Sequence, residues 1–566
     1  MSTGLERRSL LSWMTEPGER APTRVGSADT NAENFICTDT GTTTTLVSAS
    51  LNVATTYTYV GRIIKCIKAS NAQNEGVEAI VLEFVPAADA LVFTSLPAAT
   101  AAGDQFVMYL PPDPIVVVTT SAAGVIAAER GDYAAEVDSY YVGDVLVNRY
   151  GNNAQGESRT VTGFTQATGT FTHTAFTGNP TVASLMYLRR FPKTWGPPSV
   201  SWKREDLVHE AQRLDFSHER SIGGSKTWSA TVTIPLKGSG TAAGNGTAGV
   251  APPELDRPLS ALMTKTTNTG ESIVADAANT VQTVQITNGT AAQFNVGSLC
   301  LDSFGRVAMV YTTGAGGGGY DEVTVHPPFF TSPEDIAGQV LYGGVTYTPK
   351  STGHKTMTLD YFEGGITNVH LYGGMPKIKI ADFARNRVPK MVFDFTGNHY
   401  VETNYAQPSG LTPSFDTIRP IDAKDAYAIL STGTVGSSTE VRLTLESAEI
   451  DFGIEIGQED AFSLPDAVYG NRYLGHMCTV NVVGFWDTAS PSNTYAEVQR
   501  YLGGQQFTLL LQHGKVPGNT VAFYAHRCEW LDPQHSEAGG LRKISFKAKV
   551  CASDATSIPD FALGFL

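Results

Sequence analysis

The stretch LESAEIDFGIEIGQED (445–460), followed after a turn by RYLGHMCTVNVVGFW (472–486), echoes an earlier one, HEAQRLDFSHERSIGG (209–224) leading into KTWSATVTIPLKG (226–238). Glu446, Ile450 and Asp451-Phe452 find counterparts at the same spacing in Glu210, Leu214 and Asp215-Phe216. Each stretch leads to a strand alternating polar and apolar residues, Thr479, Val480, Asn481, Val482 in one and Thr231, Val232, Thr233, Ile234 in the other. Such alternation puts one face of a strand in a core and leaves the other wet. A short segment with helical spacing follows each, Leu255–Met263 and Tyr495–Leu502. Downstream, KTMTLDYFEGGITNVHLYGG (355–374), PKIKIADF (376–383) and PKMVFDFTG (389–397) come in the same order as QQFTLLLQHGKVPGNTVAFYAHR (505–527), CEWLDP (528–533) and LRKISFKAKV (541–550). Regions 196–405 and 441–566 therefore read as two copies of one β-sandwich-like domain, with a linker at 406–440.

A smaller repeat is superimposed on this one. An aromatic shortly before Val-Gly occurs at Tyr59-Val60-Gly61, Tyr141-Val142-Gly143 and Phe294-Asn295-Val296-Gly297. A closing strand with an aromatic follows each at a near-equal distance, at Tyr109, Tyr187 and Tyr342. This reads as three small β modules, two within 31–195 and one inserted into the first large copy at about 285–348. Residues 1–30 read as an N-terminal arm with one short helix at Leu5–Met14, stopped by Pro17 and Pro22.

The fold class is thus all-β, and composition agrees. Charged residues are 17% and hydrophobic ones 42% of 566, with 56 glycines for turns. A net charge of −15 excludes a protein that grips nucleic acid through its phosphates, which needs a basic surface. Acidic walls suit a conduit instead. Six cysteines (Cys37, Cys66, Cys300, Cys478, Cys528, Cys551) show no CxxC spacing, so no disulfide framework is expected and a reducing cytoplasm fits. No apolar run approaches a membrane span, and the first residues lack a signal-peptide core.

SIGGSKTWSATVTIPLKGSGT (221–241) with APPELDRPLSALM (251–263), and KTMTLDYFEGGITNVHLYGGMPKIKIADFARNRVPKMVFDFTGNHY (355–400), resemble the tail tube protein family of long-tailed bacteriophages. With the region to Cys551, the resemblance covers roughly the last two thirds of the chain. It implies subunits that stack as rings around a channel, whose inner wall is a barrel of strands from neighbouring subunits, with loops joining successive rings. It implies as partners other copies of the chain, a tape measure protein, and tail terminator or baseplate proteins. DNA would pass through the lumen unbound, and the protein would reside in the virion tail after assembly in the bacterial cytoplasm, with no membrane involved. The expected protein is a structural subunit, not an enzyme; a distal tail, baseplate or receptor-binding protein is the alternative. Two domain copies per chain favour a homotrimeric ring with pseudo-sixfold symmetry over a homohexamer. The small modules at 31–195 are expected on the tube exterior. The Gly-rich stretch GSGTAAGNGTAG (238–249) is expected to be a flexible loop, ordered only against the next ring.

Candidate chemistry is sparse, and no catalytic, cofactor-binding or metal-binding residues are assigned. GAGGGG (314–319) lacks the Lys-Ser/Thr ending of a phosphate loop and reads as a hairpin tip, and STGHKT (351–356) fails the same spacing. His209 and His218, and His513 and His526, have no metal-ligand spacing and read as surface or interface residues. Asp360, Asp382 and Asp394 read as a solvated sheet face and as candidates for an acidic lumen. Trp202, Trp228, Trp486 and Trp530 read as core. No cofactor is expected.

Overall fold

The computed structural model describes residues 9–15, 22–23, 34–51, 59–60, 62–109, 115–122, 124–128, 140–150, 156–180, 184–207, 222–244, 246–274, 279–287, 289–316, 319–329, 338–363, 367–384, 387–403, 420–421, 426–432, 439–460, 468–486, 494–538, 541–553 and 558–566. Its elements are almost all strands, and the chain is an all-β protein. The strands that matter most are β1 (Ser9–Thr15), β2 (Ser199–Leu207), β3 (Ile222–Pro235), β4 (Met357–Glu363), β5 (Thr367–Ala384), β6 (Lys390–Gly397), β7 (Leu445–Asp451), β8 (Ile454–Asp460), β9 (Val468–His476), β10 (Thr479–Phe485), β11 (Phe507–His513), β12 (Val521–Ala538) and β13 (Leu541–Val550). Two helices, α1 (Pro253–Leu262) and α2 (Thr494–Leu502), lie where helical spacing places them.

Antiparallel pairing runs β2-β3-β6-β5 through the first repeat and β7-β10-β13-β12 through the second. In both, an 18-residue strand bends between two layers. The first half of β5 pairs with β4 and its second half with β6; the first half of β12 pairs with β11 and its later part with β13. A one-residue register shift sits at the same place in each: Met357↔Gly374 then Leu359↔Leu371, and Phe507↔Cys528 then Leu509↔Ala525. A bulge of this kind is a positional marker. It aligns Met357 with Phe507 and Gly374 with Cys528.

Carried across the sheet by the pairings, that alignment lays β2 over β7 and β3 over β10, so that Val200 matches Ile450 and Thr231 matches Asn481. The sequence match of Thr231 with Thr479 is therefore two positions out, and the match of Glu210 and Leu214 to Glu446 and Ile450 falls on residues 208–221, outside the described ones. A slip of two leaves every side chain on its own face, so alternation could not detect it.

The inward faces share one core. Val232, Ile234, Ile378, Ile380, Met391 and Phe393 meet Ile450, Val480, Val482, Ile544 and Phe546, and α1 closes it with Leu255 and Leu259. Trp228 and Trp530 are buried and Trp202 and Trp486 pack against this core, as their sequence reading held. Their indoles are anchored: Trp228 Nε1 donates to the Tyr372 carbonyl (2.9 Å) and Trp530 Nε1 to Glu497 (2.8 Å). Trp228 lies flat against two glycines, and a Cβ at Gly397 would sit 2.1 Å from its Cε2. Gly397→Ala is expected to cost about 1–3 kcal/mol through overpacking, read as a lower urea midpoint.

The described residues around the three Val-Gly pairs share one hydrogen bond. The amide of the residue after each turn (Arg62, Asp144, Ser298) donates to the carbonyl three positions back. A bulge then follows in the next hairpin of each module, at Val81/Glu83, Val161/Gly163 and Val310/Thr312. The turn tyrosine stacks edge-on with a phenylalanine in two of them, Tyr59 on Phe84 (4.9 Å) and Tyr141 on Phe164 (4.8 Å). The module from Ile115 to Arg189 is a closed barrel. Of GAGGGG, Gly314 and Ala315 end one strand of a hairpin opposite Glu322 and Asp321 and Gly316 N–H donates to the Tyr320 carbonyl, while Gly317 and Gly318 lie outside the described residues.

Several expectations are corrected. Residues 9–14, the described part of the expected helix at Leu5–Met14, belong instead to the strand β1, Trp13 opposite Leu359. A helix that short is marginal alone, and the open side of β4 offers a full set of backbone bonds. Within the expected linker 406–440, Tyr427–Thr432 is a strand paired with β11 (Ala428↔Leu511). The Gly-rich stretch is tied inside the chain: Gly238 N–H donates to Asn519 Oδ1 (3.2 Å), Gly240 N–H to the Gly518 carbonyl (2.7 Å) and Gly249 N–H to the Asn268 carbonyl (3.0 Å). Glycine is needed there because a Cβ at Gly238 would meet the Gly518 oxygen at 2.3 Å.

Candidate functional site

The two repeats are joined edge to edge. The second half of β5 pairs with β7, Lys379 facing Asp451, Ile380 facing Ile450, Phe383 facing Ala448 and Ala384 facing Ser447. This seam fuses the two halves into one antiparallel sheet of eight strands, β2-β3-β6-β5-β7-β10-β13-β12. Ile380 and Ile450 close the dry side of the seam, and a Lys379–Asp451 ion pair (3.1 Å) spans the wet side. A groove of about 850 Å³ follows it on the wet side, lined by Asp382, Arg387, Glu446 and Glu449 among others. Asp382 and Glu446 are already engaged: Asp382 by Arg387 and Lys390 (both 2.8 Å), Glu446 by Lys543 (2.7 Å).

At the outer ends of the sheet the described pairings stop. β2 pairs with β3 and has no second strand partner among the described residues, and the later part of β12 pairs only with β13. Residues 531–537 are exposed apart from half-exposed Pro533, as are Ser199, Ser201 and Lys203. Edges of this length in a nine-residue and an 18-residue strand present rows of amide and carbonyl groups to any complementary strand.

The small modules show which side of the sheet is which. The barrel module docks on the outer layer of the first repeat, where Arg189 reaches Asp360 and His370 joins it (each 2.5 Å from Asp360). The inserted module docks on the second repeat through Leu299, Leu301 and Met309 against Leu510 and Tyr524. Under the alignment that the bulges set, Leu510 is the counterpart of Asp360 and Tyr524 that of His370. Both repeats thus carry a module on the same face, opposite the wet face of the eight-stranded sheet.

The docking contacts are polar and buried. Asp144 pairs with Arg190 and with Arg257 of α1, and all three are almost fully buried. Tyr140 and Tyr347 both donate to Asp256, which Lys265 also reaches (3.1 Å). Burial pushes the Asp360 carboxyl up, but Arg189 and His370 outweigh it and hold it below the usual range. Asp360 is therefore an interior ion-pair residue and not part of a solvated face.

His326 of the inserted module contacts Tyr524 Oη (2.9 Å) and Ser431 Oγ (3.2 Å). Burial, with His526 adding to it, pushes its imidazole down to about 4. An unfolded histidine titrates near 6.5, so as pH falls the unfolded chain takes the proton first. The stabilisation present above pH 6.5 drains away between 6.5 and about 4. Between pH 7 and 4 the wild-type chain is expected to lose about 3 kcal/mol more stability than His326→Gln, measured by urea unfolding at each pH.

The wet face is of mixed charge. Lys377, Lys379, Lys547 and Lys549 stand among Asp394, Glu449, Asp451 and Glu529, with Lys377 directly opposite Asp394 and Glu529 opposite Lys549. Asp394 also accepts the Thr231 hydroxyl (2.8 Å). An acidic lumen built on Asp360, Asp382 and Asp394 is not what this surface offers: one is buried, one is braced by two cations, one faces a lysine. Of the histidines, His513 is fully buried against Phe383 (4.7 Å) rather than on the surface, His526 is half-buried, and His209 and His218 lie outside the described residues. Among the described residues no group of three or more His, Cys, Asp or Glu is placed to hold a metal. All six cysteines are free. Nothing in the local sequence marks the seam: Ile380 and Ile450 read only as apolar positions of two alternating strands.

No family model matches the chain, and no curated protein is similar to it in sequence. Among solved structures, the SPP1 tail tube, from a hybrid of solid-state NMR and cryo EM, is similar over 23% of this chain and 75% of that chain, at 14% identity and a TM-score of 0.18. A likeness that slight carries no argument.

Proposed function

We propose that this chain is a structural subunit that assembles into stacked rings around a channel, the tail tube of a long-tailed bacterial virus, and that it is not an enzyme. One observation carries the reading: two repeats already joined by a strand seam, leaving at one end of the sheet the counterpart of β7 and at the other the counterpart of β5, each open among the described residues, on a sheet that is wet on one face only. An open sheet with unsatisfied borders is an aggregation hazard unless copies close it into a barrel, which removes every edge. The dry face, covered by its own core and by the docked modules, would face outward, and the wet face would line the lumen.

Three copies of an eight-stranded sheet make 24 strands. With strands about 4.8 Å apart and tilted about 40°, the barrel would be about 48 Å across its backbone. Barrels of fewer strands already enclose an aqueous channel. A mixed-charge wall would neither bind nor strongly repel DNA, which suits passage of the genome without specific contacts. The ring of three, its stacking, its meeting with tape measure and terminator or baseplate proteins, and its place in a virion tail assembled in bacterial cytoplasm all belong to this proposal.

Negative-stain microscopy of the purified chain tests it. Hollow tubes or rings of constant diameter are expected. Discrete capped oligomers would favour the baseplate alternative, and monomers at every concentration would overturn both.

A further inference from the structure

The repeat that builds the inner seam also specifies the outer one, residue by residue. Met375 pairs with Thr396 as Glu529 pairs with Lys549. Ser229 pairs with Thr396 as Thr479 pairs with Lys549, and Ser201 with Ser229 as Asp451 with Thr479. Ser201 is therefore the counterpart of Asp451, and Val200 of Ile450. On the other side, Lys379 pairs with Val392 and Ile380 with Met391, while Gln534 pairs with Ser545 and His535 with Ile544. Val392 lies two same-face steps before Thr396, and Ser545 two before Lys549, so Gln534 stands where Lys379 stands and His535 where Ile380 stands.

We propose that β12 of one copy pairs antiparallel with β2 of the next, Gln534 opposite Ser201 and His535 opposite Val200. This rests on the tube reading and fixes its subunit contact. The partner is a second copy of this chain because the seam it would form is a repetition of one the chain already contains.

The outer seam differs from the inner one in two ways that can be read directly. The Lys379–Asp451 ion pair is replaced by two neutral side chains, Gln534 and Ser201. The inner seam also runs on to Ala448 and Ser447, whose counterparts are Pro198 and Pro197. Proline has no N–H to donate, so the ladder ends there. The seam between chains is thus shorter and lacks the ion pair, and should be reversible where the seam within the chain is permanent. On its dry side, Val200 already packs against the core and His535 lies on Trp486 at 4.8 Å, so closure adds backbone bonds without rebuilding either side chain.

Directly opposed residues of antiparallel strands are close enough for a disulfide. In the full chain, Ser201→Cys with Gln534→Cys should give, on mild oxidation of assembled material, a reducible covalent ladder ending at three chains. Lys203→Cys with Gln534→Cys, a slip of two on the same face, should stay uncrosslinked, as should the parent chain with its six native thiols. Rings that form but crosslink through the slipped pair, or through neither, overturn the register and leave the tube reading intact. A ladder ending at six keeps the seam and overturns the ring of three. A parent chain that forms no rings overturns the tube reading itself.

Discussion

Val200→Lys is expected to leave a folded subunit that no longer assembles. Val200 sits on the dry side of an edge strand and is half-buried, so in the free chain a lysine there can turn its ammonium to water. In a closed ring the same ammonium would be buried without a partner, at a cost of about 3 kcal/mol or more per seam. That raises the concentration needed for assembly about 100-fold or more. Sedimentation and microscopy should find monomers where wild type is tubular, with circular dichroism unchanged. Its counterpart is the control: Ile450 is fully buried in the inner seam, so Ile450→Lys should unfold the chain instead. If both substitutions unfold it, β2 is not an open edge.

Asp144→Ala is expected to be the most damaging change away from the seams. It removes the carboxylate that two buried guanidinium groups, Arg190 and Arg257, share in the contact between the barrel module and α1. Removing one partner of a buried ion network costs about 3–5 kcal/mol. Since Arg257 lies on the helix that closes the first repeat's core, the loss should appear as a lowered midpoint of global unfolding and not as release of the module alone. An unchanged midpoint would mean that the network is solvated.

The all-β class was legible because alternation is a local signal, repeated in strand after strand. Both helices were legible for the same reason, and the three Val-Gly turns because a glycine with φ of 86° at Gly143 and 84° at Gly297 is hard to replace. Register was not legible. Sequence alone pairs Thr231 with Thr479 rather than Asn481, because a shift of two keeps polar with polar and apolar with apolar. Asp360 reads as a wet-face residue because a strand position does not say that a module far earlier in sequence presses Arg189 onto it. The Gly-rich stretch looked loose because its bonds are made by backbone, to Gly518 and Asn268, and composition carries no trace of backbone partners. The seam escaped for the same reason: strand edges recognise one another through amides and carbonyls, and side chains only refine the choice.

The most direct measurement is a cryo-EM reconstruction of what the unmodified chain forms at high concentration. It should resolve rings of three chains whose inner wall is one continuous 24-stranded barrel, with β12 of each copy hydrogen-bonded to β2 of the next and the small modules outside. A particle in which both strands remain solvent-exposed, or in which each is covered by its own chain, would contradict it.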